Sequence, residues 1–196
     1  MWKVIILGRT VLSSSVTVLF FAVLLTAACN KIKTVTNKGS DAMEITVRSA
    51  SFEEGGMILA RYTCDGLDVS PPLSWGDPPD STESFALIGD DPDAPMGTWV
   101  HWVMFNIPPD ARGLPENIPS SPTLSDGSVQ GITDFGTVGY GGPCPPSGTH
   151  RYFFKLYALD TKLDLPQGAS KKDVESAMKG HIIASGQIMG TYRRQR

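Results

Sequence analysis

The chain has 196 residues, which suits one domain on the usual scale of roughly 100–200 residues per domain. Gly 20 and Pro 15 are numerous, yet 41% of the residues are hydrophobic, a balance that excludes a disordered or fibrous chain and fits a turn-rich packed one. The formal charge is −3, and the acid excess grows when residues 1–29, which carry Lys3 and Arg9 and no acid, are set aside; this argues against nucleic acid as a partner, because phosphate backbones reward a basic surface.

The first element in chain order is an address. Lys3 and Arg9 precede an apolar run over residues 16–28 that closes on Thr26-Ala27-Ala28-Cys29. A positive start, a short apolar stretch and small residues at a cut site are the layout of a secretory signal. Ser13, Ser14, Ser15 and Thr17 interrupt the run before it reaches the roughly 20 apolar residues of a membrane span. Small residues directly before Cys29 resemble a bacterial lipoprotein signal, in which that cysteine is lipidated and becomes the new first residue. Leu25 stands four places before Cys29, with Thr26 in the place usually held by Leu, so an ordinary secretory cut near Ala28 stays open. The expected layout is a signal over 1–29, a flexible tether over 30–42 and a folded domain over 43–196. The expected location is the cell envelope, with the N-terminal lipid in the membrane; Asn30 in place of Asp points to the outer membrane where the host has two.

The cysteine count agrees with export. Of Cys29, Cys64 and Cys144, lipidation would take the first and leave an even pair. A bridge between Cys64 and Cys144 closes a loop long enough to contribute about 4 kcal/mol if unstrained. Two separate buried thiols are the alternative. No Cys-x-x-Cys occurs, which argues against a structural zinc site or a redox pair of that type.

Beyond the tether, short β-type runs separated by Gly and Pro are expected to form strands over 44–48, 57–62, 84–89, 99–107 and 151–159, followed by an apolar run over 182–189. Strands at this spacing suggest a sandwich or a barrel. One helix is expected over 171–179, with Ser170 as N-cap, Asp173 in the first turn and Gly180 as the stop. Residues 112–142 read as a long Gly-, Pro- and Ser-rich loop, a length that usually carries function.

Three histidines occur, and two lie in the most distinctive segments. In the first segment, Asp90-Asp91-Pro92-Asp93 leads to Trp99-Val100-His101-Trp102, and period two would place Trp99, His101, Val103 and Phe105 on one face. In the second, Gly142-Pro143-Cys144 leads to His150-Arg151-Tyr152, and His150, Tyr152, Phe154 and Leu156 share a face. Pro92 restricts Asp91 to extended or turn conformations at a strand exit, where a carboxylate can be aimed across a cavity. Singly, each histidine reads as a core residue and Asp91 as a turn former. Together they read as a site. His181 reads as structural, Trp75 and Trp102 as core, and Arg193, Arg194 and Arg196 as a solvated end.

The segments DPDAPMGTWVHWVMFNIP and GYGGPCPPSGTHRYFFKLYALD resemble the two signature blocks of the phosphatidylethanolamine-binding protein family, also called Raf kinase inhibitor-like proteins, in its bacterial branch. YTCDGLDVSPPLSW before them and AMKGHIIASGQIMGTY after them are similar to the flanking segments of that family. The resemblance runs from Glu44 to Arg193. It implies a mainly β fold, a sandwich of two mainly antiparallel sheets with few short helices, and a small pocket for anions such as phosphate or a phospholipid head group. The pocket positions fall on Asp91, His101, Gly142, His150 and Tyr152, with Pro143 on the rim.

The residue types suit that task. Each imidazole offers one N–H when neutral and two when cationic, Tyr152 adds a hydroxyl, and Gly142 lets a backbone N–H approach closely. Asp91 would repel phosphate, so it either orients an imidazole and favours its cation or meets the ammonium of a phosphoethanolamine group. The expected function is a non-catalytic binding domain without cofactor. Two other classes are weighed beside it. One is an inhibitor of a protease or kinase acting through residues 112–142. The other is an enzyme using the two histidines and Asp91 to hold a metal or as an acid–base pair, against which stand the lack of a Gly-x-Ser-x-Gly elbow and of a phosphate loop.

Overall fold

The computed structural model describes residues 43–194. The expected signal over 1–29, the lipidation of Cys29 and the tether over 30–42 lie outside the described residues. Within them, no helix is long and apolar enough to cross a membrane.

Among the described residues, nine strands form two sheets. In chain order they are β1 (Met43–Glu44), β2 (Val47–Arg48), β3 (Leu73–Trp75), β4 (Ser84–Asp91), β5 (Trp99–Ile107), β6 (Gly113–Leu114), β7 (Val129–Gln130), β8 (His150–Leu159) and β9 (Ile182–Tyr192), with one helix, α1 (Lys171–Ala177), between β8 and β9. The large sheet runs β1-β9-β8-β4-β5-β7 and the small one β2-β3-β6. Among these strands, β1 and β9 pair in parallel and the other pairs are antiparallel.

The fold follows from what each face must cover. Leu73, Trp75, Val47 and Leu114 of the small sheet pack against Phe85, Leu87, Met104, Tyr152, Phe154 and Leu156 of the large one, which makes the main core. A second core lies on the other face of the large sheet, where Ile88, Val103, Phe105 and Leu159 meet Val174 and Met178 of the α1 region. β4, covered on both sides, is buried at every position, and Phe85, Ala86, Leu87 and Ile88 within it read as an unbroken apolar run. β8 alternates. Helix α1 opens with a capping box, in which the Ser170 side chain accepts from the Asp173 N–H while the Asp173 carboxylate accepts from the Ser170 N–H.

Several expected elements are corrected. Residues 44–48 do not form one strand: the chain changes sheets between Glu44 and Val47, giving β1 to one sheet and β2 to the other. Residues 57–62 make a single pairing of Met57 with Thr191 and then a 3-10 turn at Ala60–Tyr62, closed by Tyr62 N–H to Leu59 O and Thr63 N–H to Ala60 O. The stretch 112–142 is not wholly loop, since it contributes β6 and β7. α1 ends at Ala177, and β9 runs to Tyr192.

The face assignment along β5 is also overturned. Gly89 faces Trp102 while Asp90 faces Val100, so His101 is the extra residue of a β-bulge. The bulge breaks period two. His101 stacks edge-on against Tyr152 of the main core, whereas Val103 and Phe105 belong to the α1-side core. A second irregularity precedes Ile107, where Asn106 sits at φ 55 and its side chain clasps both the N–H and the carbonyl of Leu163. Trp75 and Trp102 are core residues, as expected. Arg194 is not simply solvated: its guanidinium donates to the Asp65 carboxylate. His181 pairs with Asp160 in an exposed contact.

Candidate functional site

Antiparallel pairing of β4 with both β5 and β8 decides where the site lies. It places the end of β4 beside the beginnings of the other two strands. Asp91, Trp99, His101, His150 and Tyr152 therefore meet at one end of the large sheet, around a cavity of about 180 Å³. Ala94 and Pro95 from the β4–β5 turn, Phe135 from the loop after β7, and Cys144, Pro145 and Pro146 before β8 complete its wall. A larger hollow of about 520 Å³ runs along Glu44, Val47, Lys155 and Gln187, but no histidine lines it and Lys155 there is already paired with Asp90. Chemistry favours the smaller cavity.

Both imidazoles are held by the same nitrogen. Nδ1 of His101 lies 2.6 Å from the Gly141 carbonyl oxygen, and Nδ1 of His150 lies 2.8 Å from Oδ2 of Asp91. Carbonyl and carboxylate oxygens only accept, so each Nδ1 carries the proton and Nε2 is left for a guest. A neutral ring then presents a lone pair to the cavity; a protonated one presents an N–H. Burial pushes the His101 pKa down, opposed by the Gly141 hydrogen bond and by the charge of Asp91.

Tyr152 is the third polar group. Its hydroxyl is buried and makes no hydrogen bond among the described residues. Burial foremost, then the nearby Asp91 charge, raises its pKa far above the ordinary phenol range, so it is a donor at any working pH. An orphaned buried hydroxyl costs stability unless something binds it. This one lines a cavity beside two ring nitrogens.

Asp91 takes the orienting arrangement rather than the ammonium-binding one. Oδ1 accepts the Asp93 N–H and Oδ2 accepts from His150, and the residue is only 3% exposed, so the carboxylate is turned toward the chain's own donors. Two further expectations change. The Gly142 N–H is donated to Asp68 Oδ1 at 2.7 Å and does not reach the cavity. The need for glycine there is steric: a Cβ would lie 2.5 Å from the Tyr62 carbonyl oxygen and 2.8 Å from Thr63 Cα. Pro143 is buried beside it, its carbonyl accepting the Cys64 N–H, and the rim is made by Pro145 and Pro146 instead.

The structure also bridges Cys64 to Cys144, with Cα atoms 5.4 Å apart. The residue that sequence reasoning missed is Phe135. Its ring packs edge-on against Trp99 and His101, and the loop carrying it docks on β5 through Asp134 N–H to Val100 O and Val100 N–H to Asp134 Oδ2. A lone aromatic amid Gly and Thr residues was the available signal. Among the described residues, no three of His, Cys, Asp and Glu cluster in a way that could hold a metal ion.

Comparison with known proteins gives concordant results. Residues 48–193 match the family profile described as phosphatidylethanolamine-binding protein. The UPF0098 protein of Methanothermobacter thermautotrophicus is 59% identical over 150 residues, covering 76% of this chain and 99% of that one. That of Aquifex aeolicus is 54% identical, covering 80% and 91%. Among solved structures, a phosphatidylethanolamine-binding protein homologue from Chlamydia trachomatis superposes with a TM-score of 0.71 at 40% identity, over 80% of this chain and all of the other. An E. coli protein described as a new member of the mammalian PEBP family gives 0.72 at 34% identity, over 77% and 99%.

Proposed function

The chain belongs to the phosphatidylethanolamine-binding protein family, and from that premise we propose that its cavity binds, without catalysis, a small oxyanion such as phosphate or the phosphorylated head group of a lipid. The observation that carries this reading is the buried, unpartnered Tyr152 hydroxyl beside two histidines whose Nδ1 atoms are already engaged. One hydroxyl donor and two Nε2 positions then converge on one guest. Protonation turns the two nitrogens from acceptors into donors, so an anion and protons are taken up together. Trp99, Phe135, Pro145 and Pro146 give the mouth an apolar wall for whatever the oxyanion is attached to.

Calorimetry of the full chain with inorganic phosphate and with O-phosphorylethanolamine tests this. Affinity is expected to rise as pH falls through the histidine range; a flat profile, or no heat with either, removes the reading. Because Asp91 is only 3% exposed and already held by His150 and the Asp93 N–H, the ethanolamine amine is expected to gain little from it, and the two ligands to bind within a few-fold of each other.

The same proposal places the domain at the cell envelope, held by lipid on Cys29 through the 30–42 tether. Metabolic labelling with a fatty acid analogue is expected to mark the protein and to fail on a Cys29→Ser variant, which leaves the membrane fraction.

A further inference from the structure

Asp68 belongs to none of the cavity's walls, yet three observations tie it to the site. Among the described residues it is one of three non-glycine residues with a positive φ, at 55°, a conformation that glycine adopts at lower cost. An aspartate kept there has a use for its side chain. That use is visible: Oδ1 accepts the Gly142 N–H at 2.7 Å, and a Cβ on Gly142 would overlap it.

The next link is short. Gly141, adjacent to Gly142, is clasped to His101 twice, by its own N–H to the His101 carbonyl at 2.9 Å and by its carbonyl to His101 Nδ1 at 2.6 Å. The segment that orients His101 is therefore anchored on its far side by Asp68, with the Tyr140 hydroxyl to Tyr62 O and the Cys64–Cys144 bridge on either flank. His150 and Tyr152 of β8 and Asp91 of β4 share the cavity with His101, and the Asp68 carboxylate, with Asp90 on the far face of the sheet, acts on it by charge.

We propose that Asp68 is a positioning residue of the anion site: through the Gly142 N–H it fixes the backbone whose Gly141 carbonyl holds His101 with Nε2 toward the guest. The inference rests on the oxyanion reading of the cavity. It adds a residue outside the cavity that sets the geometry within.

Three variants of the full chain separate this role from plain stability. Asp68→Gly removes the carboxylate but relieves the positive φ, which offsets part of the lost Gly142 hydrogen bond, so its melting temperature is expected to fall less than that of Asp68→Ala while phosphate affinity falls about tenfold. Asp68→Asn keeps an acceptor oxygen in a conformation Asn tolerates, and is expected to restore most of the affinity while shifting the His101 titration, read by NMR, to lower pH. Asp68→Ala loses both stability and affinity. A Gly variant that binds phosphate like the parent, with an unchanged His101 Nδ1–H signal, overturns the assignment. If the parent itself binds no phosphate, the oxyanion reading fails, while the His101 signal still decides whether Asp68 positions the ring.

Discussion

Tyr152 is where stability and function pull apart at the scale of a single residue. Its hydroxyl is buried without a partner, so Tyr152→Phe removes a desolvated oxygen and leaves the ring packed against His101. The variant is expected to be more stable by about 1 kcal/mol and to bind phosphate about tenfold more weakly, equal to about 1.4 kcal/mol. Thermal melts and calorimetry on the same sample read both. A variant that loses stability and keeps affinity assigns the hydroxyl to the fold instead of to a guest. His150 differs in kind, because its Nδ1 holds Asp91 at the base of the site and its loss leaves that carboxylate buried and unpaired.

Two links join elements that sequence distance separates. The Cys64–Cys144 bridge welds the turn after Ala60–Tyr62 to the wall before β8 across 80 residues, and removing both cysteines as serines is expected to lower unfolding free energy by about 4 kcal/mol in denaturant titrations. A loss below about 1 kcal/mol would mean that the unfolded chain without the bridge is scarcely less restricted than the bridged one. On the opposite face, the fully buried Asp90 carboxylate receives Lys155 of β8 at 2.8 Å and Lys171 of α1 at 2.6 Å, pinning the helix to the sheet. Asp90→Ala strands two lysines that are 30% and 20% exposed. The expected cost is about 3 kcal/mol, at the lower end for a broken buried pair because both ammonium groups can still turn toward water.

At the scale of the whole molecule, groups with lowered pKa set the acid limb of stability: His101 in its upper part, and Asp93 together with Asp65, Glu116 and Asp173 in its lower part. Burial lowers the His101 pKa, so as pH falls the unfolded chain takes up that proton first and stability declines from about 6.5, the ordinary imidazole value, down through the lower folded one. Asp93, hydrogen-bonded by Arg151, is lowered from 3.8 to about 2. Its contribution is full above 3.8 and is lost as pH falls to about 2. Denaturation midpoints are therefore expected to drop in two stages, the upper absent in His101→Gln and the lower reduced in Asp93→Asn. Saturating phosphate should offset the upper stage, because a bound anion favours the imidazolium that burial opposes. A midpoint unchanged between pH 8 and pH 5 in the parent contradicts the burial argument.

Sequence alone carried the periodic and the local. The alternation His150, Tyr152, Phe154, Leu156 fixed one face of β8, the Ser170–Asp173 pair fixed the start of α1, and the two signature segments named the family before any coordinates. Those signals survive because they depend on neighbours within a few residues. What the tertiary structure decided were matters of partnership between distant segments. Two-residue strands such as β6 and β7 exist only because another strand supplies their hydrogen bonds, and the bulge at His101 appears only when β5 is registered against β4. The same holds for Gly142, whose N–H goes to Asp68, for Asp91, whose two oxygens accept from Asp93 and His150, and for Phe135, brought over the cavity by a loop docked on Val100. A residue's type states which bonds it can make; only the folded chain determines which partner arrives first.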